Sequence, residues 1–124
     1  MKHLIFIALG GAGGALARHW MSTLVHNSAG SHFPWGTLSV NLLGSFCIGL
    51  VYVLILEKGV LHPDWRSVAM VGFLGAFTTF STFSLETIGL LENGQPGLAL
   101  GYIVVSVTVC VFAAWAAISL TRLF

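Results

Sequence analysis

Apolar residues dominate four stretches of the chain, and three short breaks rich in Gly, Pro, Asn or charge separate them. The breaks lie at 27–34, 57–65 and 92–97. A membrane-spanning helix needs about 20 mostly apolar residues, which each stretch supplies. The spans are expected at about 3–25, 36–56, 65–91 and 97–121. The pattern predicts an all-α integral membrane protein with four transmembrane helices, in which residues 1–124 form a single transmembrane domain.

Composition supports the same class. Hydrophobic residues make up 56% of the chain and charged residues only 7%, where soluble domains average about 25% charged residues. No span has the continuous polar face that a helix of a soluble bundle needs. The net charge of +1 gives no basic field to hold nucleic acid. The expected partners are therefore the lipid bilayer and the ions that cross it.

The first span could be mistaken for a signal peptide, but it is too long, and Arg18 and His19 interrupt its far end. Four spans place both termini and the loop at 57–64 on one side of the membrane. That side collects Lys2, Lys58, Arg66 and Arg122, and the other side has only Arg18. The positive-inside rule then favours cytoplasmic termini.

Small residues four apart, such as Gly10 and Gly14, predict close helix packing in the membrane. The segment IALGGAGGAL also looks like a dinucleotide-binding loop. We reject that interpretation, because Leu16 occupies the place of the last glycine and no acidic residue occurs before Glu57. Both cysteines lie inside apolar segments, which favours free thiols over a disulfide.

Two stripes of polar side chains recur at i, i+4 and i+8, one on the second span and one on the fourth. They are Thr37, Asn41 and Ser45, and Tyr102, Ser106 and Cys110. Such stripes either join helices through hydrogen bonds or line a pathway. Asn41 favours the second alternative, since its amide offers two donors and an acceptor.

The third span contains TTFSTFS at 78–84, shortly after Gly72 and Gly75. Thr and Phe are weaker helix formers than Leu or Ala, so we expect a break in the middle of the membrane. Irregular backbone is tolerated there only where it lines a cavity or is buried in protein. Freed carbonyls could coordinate a cation, and hydroxyls or half-helix N-termini could attract an anion.

Three phenylalanines of this span fall close to one helix face, at Phe77, Phe80 and Phe83. They are either ordinary core or rings whose positive edges could replace water around an anion.

Charged residues within the spans are few. Arg18 lies near a span end, where it either favours anions at a pore mouth or snorkels to the interface. Glu86 is the one acidic residue well inside the third span, as a pore-mouth residue or a surface charge. There is no phosphate-binding loop, no metal-ligand spacing among the histidines and no nucleophile and base pair, so we do not expect an enzyme.

Three segments together resemble the CrcB or Fluc family of fluoride channels. They are GGAGGALARH (10–19), GTLSVNLLGSFCIG (36–49) and GFLGAFTTFSTFSLE (72–86). Length, span number and motif order fit this family over the whole chain. The resemblance implies an antiparallel, dual-topology homodimer in the bacterial inner (plasma) membrane, with two fluoride pores along the subunit interfaces. It also implies a structural sodium ion at the dimer centre, held by the backbone carbonyls of Gly75 and Thr78.

Carried onto this chain, the resemblance makes Phe80 and Phe83 the rings that face fluoride, with Asn41 as a hydrogen-bond donor. Arg18 would serve the aqueous vestibule. The remaining pore residues would be Ser81, Thr82, Thr37, Tyr102, Ser106 and Cys110.

This chain departs from the family pattern at two positions: His19 stands where a tyrosine is expected, and Cys110 where a serine is common. A thiol is a weaker donor than a hydroxyl, which weakens the case for Cys110 as an anion contact. The four-to-one charge bias also opposes dual insertion.

The function expected from these features is passive, selective export of fluoride that enters the cell as the neutral acid and ionises inside. A proton-coupled small multidrug exporter is the alternative, against which the missing carboxylate in the first span counts. A non-transporting assembly subunit is a third possibility.

Overall fold

The computed structural model describes residues 1–124 as five helices and no strands. They are α1 (Lys2–Ala29), α2 (Trp35–Glu57), α3 (66–77), α4 (Ser81–Glu92) and α5 (Pro96–Arg122). Helices α3 and α4 follow each other along one apolar stretch, Arg66–Glu92, so the chain has four stretches long and apolar enough to cross a membrane. The predicted all-α membrane architecture is confirmed.

The first span extends further than predicted. Helix α1 runs to Ala29 and not to residue 25. The polar residues at 26–28 are compatible with helix, and the chain turns only at Gly30, whose φ of 92° is in the left-handed region that glycine adopts without strain. The other span ends agree with the predicted ones within one residue.

Both termini lie at the same end of the bundle. Lys2 pairs with Asp64 at 3.4 Å, and Arg122 forms a two-pronged ion pair with Glu57 at 2.6 and 2.8 Å. The segment between α2 and α3 therefore lies beside the N- and C-termini. The segments at 30–34 and 93–95 close the opposite end.

Helix α1 packs most extensively against α3, and α2 against α5. Glycines allow the first contact. A Cβ on Gly14 would overlap the carbonyl oxygen of Phe73, and one on Gly10 would overlap that of Val68. This is the close helix approach that small residues permit in lipid, where no hydrophobic force holds helices together.

The third span changes its hydrogen bonding along its length. It opens with a π-helical segment, Arg66–Leu74, continues as the α-helical turn Gly75–Phe77, and resumes as α4 at Ser81. Thr78 between them has φ −86° and ψ 158°, an extended backbone. Residues 78–80 therefore form a non-helical turn within an otherwise helical, apolar stretch.

Candidate functional site

The turn at 78–80 is bound to α2 by the side chain of Asn41. Its amide nitrogen donates to the Thr79 carbonyl at 3.0 Å, and its amide oxygen accepts from the Thr79 N–H at 2.8 Å. Both backbone groups of Thr79 are thus satisfied by one side chain, as buried backbone groups require. These two bonds stabilise the non-helical turn relative to a continuous helix, in which the same Thr79 groups would bond to other backbone groups.

This turn diverts the hydrogen bonds that an unbroken helix would make between residues four apart. The Thr79 N–H, which would donate to Gly75, donates to Asn41. The Thr82 N–H, which would donate to Thr78, donates to the Thr79 hydroxyl at 3.2 Å. The carbonyls of Gly75 and Thr78 are thereby left without their helical donors.

Arg18 forms a hydrogen bond with another carbonyl near the end of α3. Its Nε donates to the Ala76 carbonyl at 3.0 Å, in a partly buried setting. A guanidinium carries several donors, so this contact fixes the side chain without using all of them. The structure therefore gives Arg18 a role in positioning α3.

The rings of Phe80 and Phe83 are neighbours with different surroundings. Their centroids are 5.4 Å apart and their planes are inclined at 47°. Phe83 is 8% exposed and contacts the ring of Tyr102 at 4.9 Å, whereas Phe80 is 76% exposed. Phe77 is buried and packs against Phe73 instead. Helical spacing predicts that the three rings lie on one face. The turn instead places Phe77 apart from Phe80 and Phe83.

Glu86 accepts two hydrogen bonds from other helices. The Thr37 hydroxyl donates to one carboxylate oxygen at 3.0 Å, and the Tyr102 hydroxyl donates to the other at 2.9 Å. Glu86 also lines a cavity of about 240 Å³ that has no hydrophobic lining residue. The other lining residues are Ser22, Thr23, His26, Gly36, Thr37 and Thr82. Glu86 thus faces a polar cavity and not lipid alone.

A second depression, the turn groove, lies beside the non-helical turn. It has a volume of about 400 Å³ and is lined by α2, the turn and α5. Its polar lining residues are Asn41, Ser45, Thr78, Thr79, Ser106 and Cys110. Two members of each predicted stripe meet in this groove, Asn41 and Ser45 from α2 and Ser106 and Cys110 from α5. Exposed Phe80 also lines it.

Direct contacts join the turn groove to the polar cavity. Phe80 lines the groove and contacts Phe83, which contacts Tyr102. Tyr102 donates to Glu86, which lines the polar cavity. The structure brings ten of the predicted site residues into these two cavities or the contacts between them: Asn41, Thr78, Phe80, Phe83, Thr82, Thr37, Tyr102, Ser106, Cys110 and Glu86.

The remaining predicted residues lie outside those cavities. Ser81 is exposed at the start of α4. Gly75 is exposed on α3, and Arg18 contacts the backbone of Ala76. Of the predicted sodium ligands, Thr78 lines the turn groove and Gly75 does not.

Sequence reasoning overlooked three residues of the site. Thr79 is the partner of Asn41, and Gly44 lies so close to Thr78 that an added Cβ would overlap its methyl group. His26 lines the polar cavity with Glu86. The spacing of Gly44 three residues after Asn41 was a usable signal, because it places both near one helix face.

Comparison with known proteins gives a consistent result. The family model described as CrcB-like protein, Camphor Resistance (CrcB), matches residues 5–118. A protein of Hahella chejuensis named Fluoride-specific ion channel FluC is 54% identical over 123 residues, covering 99% of this chain and 97% of the relative. A protein of the same name from Magnetococcus marinus is 48% identical, covering 97% and 98%. A third, from Saccharophagus degradans, is 51% identical, covering 94% and 86%. With this coverage, and with the four apolar helices described above, the chain belongs to the CrcB family of multi-pass membrane proteins.

Proposed function

We propose that this chain is a fluoride-selective passive channel that exports fluoride across the bacterial inner membrane. The observation that carries the proposal is the full-length similarity to relatives named fluoride-specific ion channels. The turn groove and the polar cavity support it, because a chain of contacts joins them and a channel needs a continuous path across the bundle.

The physical task is to replace the water around a small, strongly hydrated anion. Asn41, the hydroxyls of the two cavities and the edges of Phe80 and Phe83 offer many partially positive contacts. None of them is a deep electrostatic trap, as conduction requires. Because their spacing is fixed by packing, a larger anion such as chloride would make fewer of these contacts at short range.

The proposed path runs from the turn groove past Phe80 and Phe83 to the polar cavity at Glu86. Support comes from the chain of contacts Phe80, Phe83, Tyr102 and Glu86. The exposure of Phe80 also fits a ring that meets a second subunit in the complete pore.

The same proposal includes an antiparallel homodimer with a central sodium ion. The residues present fit a cation: unwound backbone carbonyls coordinate sodium in transporters, and the turn diverts the helical donors of Gly75 and Thr78. These carbonyls from two subunits would hold the ion, which would stabilise the turn against collapse. Replacement of sodium by N-methylglucamine should then lower the thermal stability of the purified dimer.

The test of the function is fluoride efflux from liposomes that contain the pure protein. A fluoride electrode follows release after valinomycin removes the voltage limit, and chloride-loaded liposomes are the control. Rapid fluoride release without chloride release supports the channel. Release no faster than from empty liposomes contradicts it, and uptake of an aromatic cation driven by a pH gradient would indicate the exporter instead.

Dual topology has its own test. A cysteine placed at residue 124 in a Cys47→Ser, Cys110→Ser background is labelled in sealed vesicles by a membrane-impermeant maleimide. About half of the chains should react before detergent is added and all of them afterwards. Labelling of all or none before detergent would show a single orientation.

A further inference from the structure

On the α5 side of the turn groove, Ser106 has a side-chain oxygen without a hydrogen-bond partner. Ser106 is 7% exposed, and its hydroxyl is the one buried side-chain polar atom without a hydrogen-bond partner. It lines the groove. Leaving a buried hydroxyl unpaired is unfavourable. The groove therefore contains an oxygen with lone pairs free for a ligand.

One turn further along α5, Cys110 lines the same groove. The i, i+4 spacing places the thiol and the Ser106 hydroxyl on one helix face. Cys110 is a free, partly exposed thiol, and no other sulfur lines the groove. Thiolates select soft metal ions such as monovalent copper and silver over hard ones.

The charge of the groove restricts the ligand further. None of its twelve lining residues is charged, and no cluster of three His, Cys, Asp or Glu side chains exists in the chain that could hold a metal ion. A divalent ion on one thiolate would leave a net positive charge in an apolar bundle, which is costly. A monovalent ion on one thiolate gives a neutral complex.

We propose that the Cys110 side of the turn groove is a binding site for a soft monovalent metal cation, with the Ser106 hydroxyl as a second, weaker ligand. Binding breaks the S–H bond of Cys110, forms a sulfur–metal bond and releases the proton to water, with no change of oxidation state. The inference rests on the proposed function in one respect. Asn41 and Phe80 line the same groove, so an ion bound there blocks the proposed fluoride path.

Binding is tested first, without any measurement of flux. The full chain is purified in detergent and chloride-free buffer, and silver nitrate is titrated by calorimetry. The Cys47→Ser variant removes the one other thiol, and Cys47 does not line the groove. This variant should bind one silver ion per chain, and the Cys47→Ser, Cys110→Ser variant should lose that binding.

A further replacement, Ser106→Ala in the Cys47→Ser background, reports on the hydroxyl. Loss of one weak ligand should lower silver affinity about fivefold, as for a contact of about 1 kcal/mol. Equal silver binding with and without Cys110 overturns the site. Equal affinity with and without the Ser106 hydroxyl overturns its role as a ligand.

Flux is tested second, in liposomes loaded with potassium fluoride and free of chloride. Silver should stop fluoride release by the Cys47→Ser variant, and excess 2-mercaptoethanol should restore it. The Cys47→Ser, Cys110→Ser variant, compared with its own silver-free rate, should be insensitive to silver. Unchanged release with silver bound would overturn the block. Absence of release before silver is added would contradict the proposed channel, while the calorimetry would still decide the binding site.

Discussion

Asn41 and Thr79 exchange two hydrogen bonds across the interface between α2 and the non-helical turn, at 3.0 and 2.8 Å. The side-chain amide of Asn41 presents a donor and an acceptor side by side, so it pairs with both backbone groups of Thr79. It therefore substitutes for the helical partners that Thr79 lacks. Because the same amide lines the turn groove, one residue both shapes the turn and contributes to the proposed fluoride path.

Asn41→Asp should abolish most fluoride efflux. The variant keeps the acceptor for the Thr79 N–H but replaces the amide donor with an oxygen that faces the Thr79 carbonyl. Losing a hydrogen bond in this way and leaving its partner unpaired costs about 1–3 kcal/mol, and the added negative charge repels the anion. We expect efflux at least about tenfold slower, a barrier increase near 1.4 kcal/mol, measured with the fluoride electrode.

Asn27→Asp is the matched control, since Asn27 is exposed near the end of α1. It should conduct at the wild-type rate. Wild-type efflux from Asn41→Asp would contradict the role of the amide donor.

Gly44→Ala should disturb the turn from the α2 side. Gly44 is buried, and a Cβ there would overlap the Thr78 methyl group. The turn would have to move away, and overpacking of this kind costs about 1–3 kcal/mol. We expect a lower melting temperature in detergent together with reduced efflux.

Gly101→Ala provides the comparison, because nothing lies within 4 Å of a Cβ at Gly101. Alanine is the better helix former by about 1 kcal/mol, so this variant should melt no lower than wild type. Equal melting temperatures for the two variants would contradict the close approach of Gly44 to the turn.

The sequence predicted the four spans because each one satisfies a local rule of length and hydropathy. It also indicated a weak helix over 78–84 from the composition of that stretch, and the structure ends α3 at Phe77 and begins α4 at Ser81. The residues that bind the turn could not be predicted from local composition. Thr79 meets Asn41 through contacts between distant segments, which no spacing rule within one helix reveals.

The environment of Glu86 shows the same limit. From the sequence alone it was either a pore-mouth residue or a surface charge. Its bonds to Thr37 and Tyr102 join three different helices, so only the packed structure reveals them. By contrast, the two polar stripes on α2 and α5 were visible, because helical periodicity alone aligns their members.

Glu86→Ala should destabilise the subunit more than Glu86→Gln. Tyr102 is fully buried, and its hydroxyl donates to Glu86. Alanine leaves that hydroxyl unpaired, at a cost of about 1–3 kcal/mol, whereas glutamine can still pair with both hydroxyls. Melting curves in detergent should rank wild type and Glu86→Gln above Glu86→Ala.

Glu92→Ala is the control for the loss of a carboxylate, because Glu92 is exposed at the end of α4. Its melting temperature should match that of wild type. If Glu86→Ala melts at the same temperature as Glu92→Ala, the two hydrogen bonds to Glu86 contribute nothing to stability.

Phe80→Ile and Phe83→Ile should both abolish fluoride efflux while differing in stability. Phe80 is 76% exposed in the subunit, so isoleucine there removes the ring edge without disturbing the subunit core. Phe83 is 8% exposed and contacts Tyr102, so its replacement also loses core packing. Size-exclusion chromatography should show assembled protein for both variants, with a lower melting temperature only for Phe83→Ile. Wild-type efflux from both would refute the ring edges as anion contacts, because isoleucine has no aromatic edge.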